Sequence, residues 1–273
     1  MGPDDQRQKV AGLTKLVRRV ASPALTGRAL AAALLCSLSL TACSDESETA
    51  PPAEERTMLG DGPAADLGDG GPALPVLEIP ADAPLVAFLG DSISAGLHLP
   101  SDSAFPAVLQ RALFERELPF RLINAGVSGD TTSGGLARTN WLLQQSPDVL
   151  VLELGANDGL RGIPVETMRD NLRQIIERAH AADCRVLLLG VLIPPSYGDE
   201  YAAAVRELYP DLAEEFDLAF VPYFMQGVAG VTELTLPDGL HPTVEGHRLL
   251  AANVEDALAA VLAEGLAEGL ESR

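Results

Sequence analysis

Two short segments near opposite ends of the chain carry the residues best suited to nucleophilic chemistry. In Gly90-Asp-Ser-Ile-Ser-Ala-Gly96, Ser92 follows an apolar run and precedes a helical turn. A serine there can lift its hydroxyl over the edge of a sheet while its backbone N–H stays free to face an anion. In Asp238-Gly-Leu-His241-Pro-Thr, an aspartate stands three residues before a histidine. On one loop it can hydrogen-bond the imidazole, fix its tautomer and stabilise the cation formed as the ring takes the serine proton. Gly129, in Asn124-Ala-Gly-Val-Ser-Gly129-Asp130, allows a close backbone approach, and Asn157, in Gly155-Ala-Asn-Asp-Gly159, offers a side-chain amide. The N–H groups of Ser92 and Gly129 and the Asn157 side chain, aimed at one oxygen, would form an oxyanion hole. Losing one such donor costs about 2.7–4 kcal/mol of transition-state stabilisation. The chemistry is acyl transfer through a serine, and it calls for no metal and no cofactor.

Each segment alone has an ordinary structural reading. Gly-Asp-Ser is a common turn, Gly129 could serve a turn only, Asn157 could cap a helix, and Asp238 with His241 could be a solvated loop or half a metal site. Their order and their shared position at the ends of apolar runs favour one site. A zinc reading lacks further ligands because His98, His180 and His247 are scattered. His180 and His247 fall in helical patterns and read as satisfied surface or core histidines. His98, six residues after Ser92, reads as a cleft residue ranked below His241, since no carboxylate stands in matching register. Asp91, beside the nucleophile, reads as a backbone or capping group. Ser94 occupies the place where a Gly-x-Ser-x-Gly elbow needs glycine, so that motif is absent.

These residues need a scaffold, and the sequence supplies an alternating one. Short apolar runs at 84–90, 121–125, 148–155, 185–191 and 218–222 read as five buried parallel strands. Helical patterns lie at 104–118, 133–145, 164–182, 200–215 and 243–264, separated by breakers such as Pro119, Pro147 and Pro164. Strand and helix in alternation imply right-handed crossovers and a doubly wound α/β sheet, with ligands beyond the carboxyl ends of the strands. Apolar loops at 97–100, 160–164 and 193–197 are suited to an alkyl chain. Cys184 reads as a small buried thiol.

The 273 residues carry a formal charge of −20, and since residues 1–42 hold +4, the remainder holds −24. Such a surface repels phosphate backbones, which excludes nucleic acid as a partner. Basic residues ending at Arg28 precede the apolar run 29–40, the layout of a secretory signal too short to span a bilayer comfortably. Leu40-Thr-Ala-Cys43 then resembles a bacterial lipobox, which makes Cys43 the expected lipidation site and N-terminus of the mature chain. Residues 44–82 contain ten acids and one arginine among many Pro, Gly and Ala, and read as an acidic tether. The expected organisation is a lipoprotein signal over 1–42, lipidated Cys43 with a linker to 82, a catalytic domain over 83–265 and a tail over 266–273.

The blocks Gly-Asp-Ser92, Gly129, Gly-x-Asn157-Asp and Asp238-x-x-His241 resemble the SGNH (GDSL-type) hydrolase superfamily. Further stretches, namely Ser128-Gly-Asp-Thr-Thr, Glu153-Leu-Gly-Ala-Asn-Asp-Gly-Leu-Arg-Gly162, Tyr197-Gly-Asp-Glu-Tyr201 and Tyr223-Phe-Met225, are similar to its bacterial thioesterase I/lysophospholipase/arylesterase subfamily. The resemblance implies a three-layer, flavodoxin-like α/β/α fold. It implies Ser92, Asp238 and His241 as a triad, and Ser92, Gly129 and Asn157 as oxyanion donors. It also implies activity on single-chain acyl esters and thioesters, lysophospholipids among them. The expected setting is a monomer on the periplasmic side of a Gram-negative envelope, held to the membrane through Cys43. The alternatives are a carbohydrate acetyl esterase of the same superfamily and a non-catalytic surface lipoprotein that serves as an interaction module.

Overall fold

The computed structural model describes residues 76–271. The signal expected over 1–42, Cys43 and the linker as far as residue 75 lie outside the described residues.

The apolar runs form one parallel sheet of five strands in the order β2-β1-β3-β4-β5. Strands β1 (Leu85–Gly90) and β3 (Val149–Glu153) are buried along their whole length, as expected of continuous apolar runs covered on both faces. Strand β2 (Arg121–Asn124) forms one edge and is partly exposed; β4 (Arg185–Leu189) and β5 (Ala219–Val221) lie on the other side of β3. Gly90 pairs in register with Glu153, so the two residues share a level at the carboxyl edge of the sheet.

Among the described residues seven α-helices connect and flank the strands: α1 (Ser92–Ala95), α2 (Phe105–Glu115), α3 (Thr132–Leu143), α4 (Ala156–Leu160), α5 (Val165–Ala181), α6 (Asp199–Phe216) and α7 (Val244–Glu271). Helix α2 packs on α7, while α3 packs on α5 and α5 on α6. With right-handed crossovers, the step from β1 to β2 runs opposite to the later steps, which puts these two groups on opposite faces of the sheet. The three-layer, flavodoxin-like expectation is met. The strand order reverses direction between β1 and β3, where a crevice opens above the carboxyl ends.

Local chemistry accounts for most boundaries. The Thr131 side chain accepts from the Gly134 N–H to cap α3, and Pro106 sits in the first turn of α2, where no donor is needed. Two features depart from the sequence pattern. Helices α1 and α4 are too short to show a helical period. Helix α7 runs to Glu271, past the expected end at 264, so most of the stretch read as a tail is helical. Its alanines, leucines and glutamates outweigh Gly265 and Gly269 in helix preference. Among the described residues no helix is long and apolar enough to cross a membrane.

Candidate active site

The turn that carries the candidate nucleophile, Ser92, is built at the end of β1. The chain passes directly from Gly90 into α1, with Asp91 as N-cap; its Oδ1 accepts from the Ile93 N–H at 2.9 Å. Helix α1 ends at Gly96, whose φ of 68° suits glycine. Ser92, the first residue of α1, is buried. The loop after β2 closes onto this turn: Asn124 Nδ2 donates to the Ser94 carbonyl at 2.7 Å and the Val127 N–H to the Gly90 carbonyl at 3.1 Å. A Cβ at Gly126 would lie 2.3 Å from the Ala95 nitrogen, so the closure requires glycine there.

The candidate base, His241, arrives from the loop between β5 and α7. His241 Nε2 lies 2.9 Å from Ser92 Oγ, and His241 Nδ1 lies 2.6 Å from Asp238 Oδ2. The other carboxylate oxygen accepts from the backbone N–H groups of Leu240 at 2.9 Å and His241 at 3.0 Å. The His241 N–H, then its ring, then the Leu240 N–H hold the Asp238 carboxyl down at about 2. An ionised carboxylate only accepts, so the ring proton belongs on Nδ1 and Nε2 presents its lone pair to the serine hydroxyl. The loop is closed on itself by the Thr235–Pro242 antiparallel bridge, with the Leu236 N–H donating to the His241 carbonyl at 2.7 Å and the Thr243 N–H to the Leu234 carbonyl at 2.9 Å.

Asn157, in α4, donates from Nδ2 to Asp91 Oδ2 at 3.0 Å, which places its amide in the wall of the same cleft. One amide hydrogen is engaged there and the amide carries a second. Gly129 stands at φ 78° on the loop after β2, where its carbonyl accepts from Arg161 at 2.9 Å. His98 stands outside the cleft, contrary to the sequence reading: the chain turns outward after Gly96, leaving His98 exposed at φ 69°, with its ring edge-on to His241 at 6.3 Å between centroids. His247 is a satisfied core histidine that accepts from the Phe105 N–H at 3.1 Å, and burial, with the nearby His241, pushes it down to about 4. His180 is exposed beside the Phe216 ring. Cys184 is buried, and burial pushes its thiol up to about 12.

Beneath the nucleophile lies a set of groups the sequence reasoning did not single out. Glu153 is wholly buried; its Oε2 accepts from Ser94 Oγ at 2.7 Å and from the Asp91 N–H at 3.3 Å. Burial, followed by the nearby Asp91 charge, pushes its carboxyl well up, and burial raises Asp91 itself to about 6. Asp158 accepts from the Thr132 N–H at 2.8 Å and hydroxyl at 2.6 Å, joining α4 to the start of α3. Arg138, from α3, donates to the Gly90 and Ala125 carbonyls and pairs with Asp130 at 2.7 Å. A signal existed for Glu153, because a glutamate closing the apolar run Val149-Leu-Val-Leu is anomalous in a buried strand. Arg138 resembles any polar residue on a helix and gave none.

The cleft over Ser92 and His241 has a volume of about 550 Å³. Leu160, Val191, Ile193, Tyr223, Phe224 and Met225 provide its apolar walls. The loops at 160–164 and 193–197 contribute as expected, but 97–100 does not, and the stretch 223–225 takes its place. Among the described residues no three His, Cys, Asp or Glu side chains are grouped to hold a metal ion. A serine hydroxyl bonded to an imidazole that is oriented by a carboxylate, beside an apolar cleft, can attack an acyl carbonyl.

The sequence profile of the GDSL-like lipase/acylhydrolase family matches residues 88–249. Esterase TesA of Pseudomonas aeruginosa is 40% identical over 191 residues, spanning 70% of this chain and 95% of that protein. The thioesterase 1/protease 1/lysophospholipase L1 of Escherichia coli K12 is 38% identical over 172 residues, spanning 63% and 81% respectively. Among solved structures, the psychrotrophic esterase EstA from Pseudoalteromonas sp., inhibited by monoethylphosphonate, superposes with a TM-score of 0.62 at 33% identity, covering 65% of this chain and 98% of that one.

Proposed function

The chain belongs to the GDSL-like lipase/acylhydrolase family and is an ester hydrolase, and on that premise we propose that it cleaves single-chain acyl esters and thioesters through an acyl-enzyme on Ser92. His241 takes the Ser92 proton through Nε2 as Oγ attacks the acyl carbonyl. Asp238 holds the imidazole and steadies the imidazolium. The Ser92 N–H, the free amide hydrogen of Asn157 and the Gly129 N–H receive the oxyanion. His241 then protonates the leaving group and activates a water that releases the acid.

The observation that carries this reading is the unbroken hydrogen-bonded series from Ser92 Oγ through His241 to Asp238 at the mouth of an apolar cleft. Aliphatic and aromatic walls favour an alkyl chain over the polar ring of a carbohydrate acetyl ester. The names of the E. coli relative, thioesterase and lysophospholipase, point the same way. We further propose that Cys43 carries lipid, that the mature chain sits on the periplasmic side of a Gram-negative envelope, and that it acts there as a monomer. The lipobox-like Leu40-Thr-Ala-Cys43 after a short apolar run supports the anchor.

The test is substitution of the nucleophile. Ser92→Ala should remain folded, lose p-nitrophenyl octanoate hydrolysis by about three orders of magnitude or more, and take up no fluorophosphonate probe. The EstA relative, inhibited by a phosphonate, supports the choice of reagent. Undiminished turnover by Ser92→Ala removes Ser92 from the mechanism, and wild-type preference for acetyl over octanoyl ester favours the acetyl esterase instead.

A further inference from the structure

Glu153 has no part in the reaction described above, yet it occupies the floor of the site. Its side chain is wholly buried at the end of β3, and Oε1 has no hydrogen-bond partner. No ion pair among the described residues includes it. From Oε2 a series of bonds runs upward. The Asp91 N–H and the Ser94 hydroxyl donate to Glu153, and Asp91 receives the Ile93 N–H on one oxygen and the Asn157 amide on the other. Glu153 thus reaches Asn157 through Asp91.

The two carboxyls differ in how donors reach them. Asp91 receives one donor on each oxygen, as a carboxylate does. Glu153 receives the Ser94 hydroxyl and the Asp91 N–H on Oε2 and leaves Oε1 bare, which suits a carboxylic acid with Oε2 as its carbonyl and Oε1 as its hydroxyl. A bare, buried carboxylate oxygen next to a second carboxylate is costly, whereas a neutral hydroxyl without a partner costs far less. No nearby cation relieves that cost. Arg138, on α3, is engaged by Asp130 and by the carbonyls of Gly90 and Ala125, and Tyr209, on α6, gives its hydroxyl hydrogen to the Leu154 carbonyl. His241 and Asp130 act by charge on Asp91, and only Asp91 adds a charge effect on Glu153.

We propose that Glu153 is a positioning residue held as the neutral acid, so that Asp91 alone bears the negative charge and keeps the Asn157 amide aimed for the oxyanion. The proposal rests on Asn157 as an oxyanion donor; the protonation of Glu153 does not, and the test separates the two. Infrared difference spectra between wild type and Glu153→Gln at pH 7 should show the carbonyl stretch of a protonated acid, present in wild type and missing from the variant. In octanoyl ester hydrolysis, Glu153→Gln supplies a neutral carbonyl acceptor and should keep kcat within about threefold with an unchanged acid limb of the pH profile. Glu153→Leu removes the acceptor at similar volume and should lower kcat about tenfold or more with KM little changed. Absence of the protonated-acid band at pH 7, or a Glu153→Gln defect as deep as that of Glu153→Leu, overturns the neutral acid. Full activity of Glu153→Leu overturns the positioning role. If Glu153→Leu does not fold, the infrared band and Glu153→Gln decide alone. Fluorophosphonate labelling of Ser92 in wild type reports independently on the underlying mechanism.

Discussion

Asp91 divides its carboxylate between two duties, capping α1 with one oxygen and holding Asn157 with the other. Asparagine in its place can keep the cap through its carbonyl but turns an amide N–H toward the Asn157 donor. Asp91→Asn should therefore lower kcat about tenfold to a hundredfold, with KM nearly unchanged, in steady-state ester hydrolysis. Stability moves the other way. Burial raises the Asp91 carboxyl from 3.8 to about 6, so its contribution to folding is present below pH 3.8 and is lost as pH rises through about 6. At pH 7 the charge is held at a cost, and the urea midpoint of Asp91→Asn should equal or exceed that of wild type. The sequence already marked Ser92, His241, Asp238 and Asn157 as candidates because each sits in a short local pattern at a strand end. It did not reveal that Asp91 grips Asn157, 66 residues away, because that partnership exists only once β1 and β3 are paired.

At the scale of elements, the junction of α2 and α7 depends on one imidazole. His247, near the start of α7, accepts the Phe105 N–H at the start of α2, and its ring stacks on that of Phe105 at 6.4 Å. His247→Leu leaves that donor buried without a partner and should cost about 1–3 kcal/mol in urea unfolding at pH 7. Burial lowers the wild-type imidazole from 6.5 to about 4, so the stability it confers is present above pH 6.5 and disappears as pH falls through about 4. The variant should lack that component of acid sensitivity. Elements were legible in proportion to their length and periodicity: the five strands and the longer helices declare themselves by apolar runs and amphipathic spacing. Helices α1 and α4 show no period, because a single turn has none; the turn at Ser92 was legible only from its place after an apolar run, and the one presenting Asn157 was not. The end of α7 was placed short, at 264, and the helix continues through Gly265 and Gly269 because the surrounding alanines, leucines and glutamates favour it.

For the whole molecule, the remaining question is how the hydrolase is held. Residues 43–273 carry a formal −24 and have little attraction for anionic lipid, so on the proposal that Cys43 is lipidated its acyl chains, and not surface charge, would provide the attachment. Cys43→Ser in the full-length chain should move esterase activity from the membrane fraction to the soluble periplasmic fraction with turnover per molecule unchanged. Activity that stays with membranes after this substitution removes Cys43 as the anchor.

The loop from Thr235 to Thr243 carries both the proton acceptor and the group that orients it, and it is laced together by its own backbone rather than by the sheet. On the proposed mechanism, any shift of that loop withdraws the two together and leaves Ser92 an ordinary alcohol, even with every strand in place. On that mechanism, phosphonate labelling of Ser92 would gauge how one surface segment is seated and would say little about whether the interior beneath it is intact.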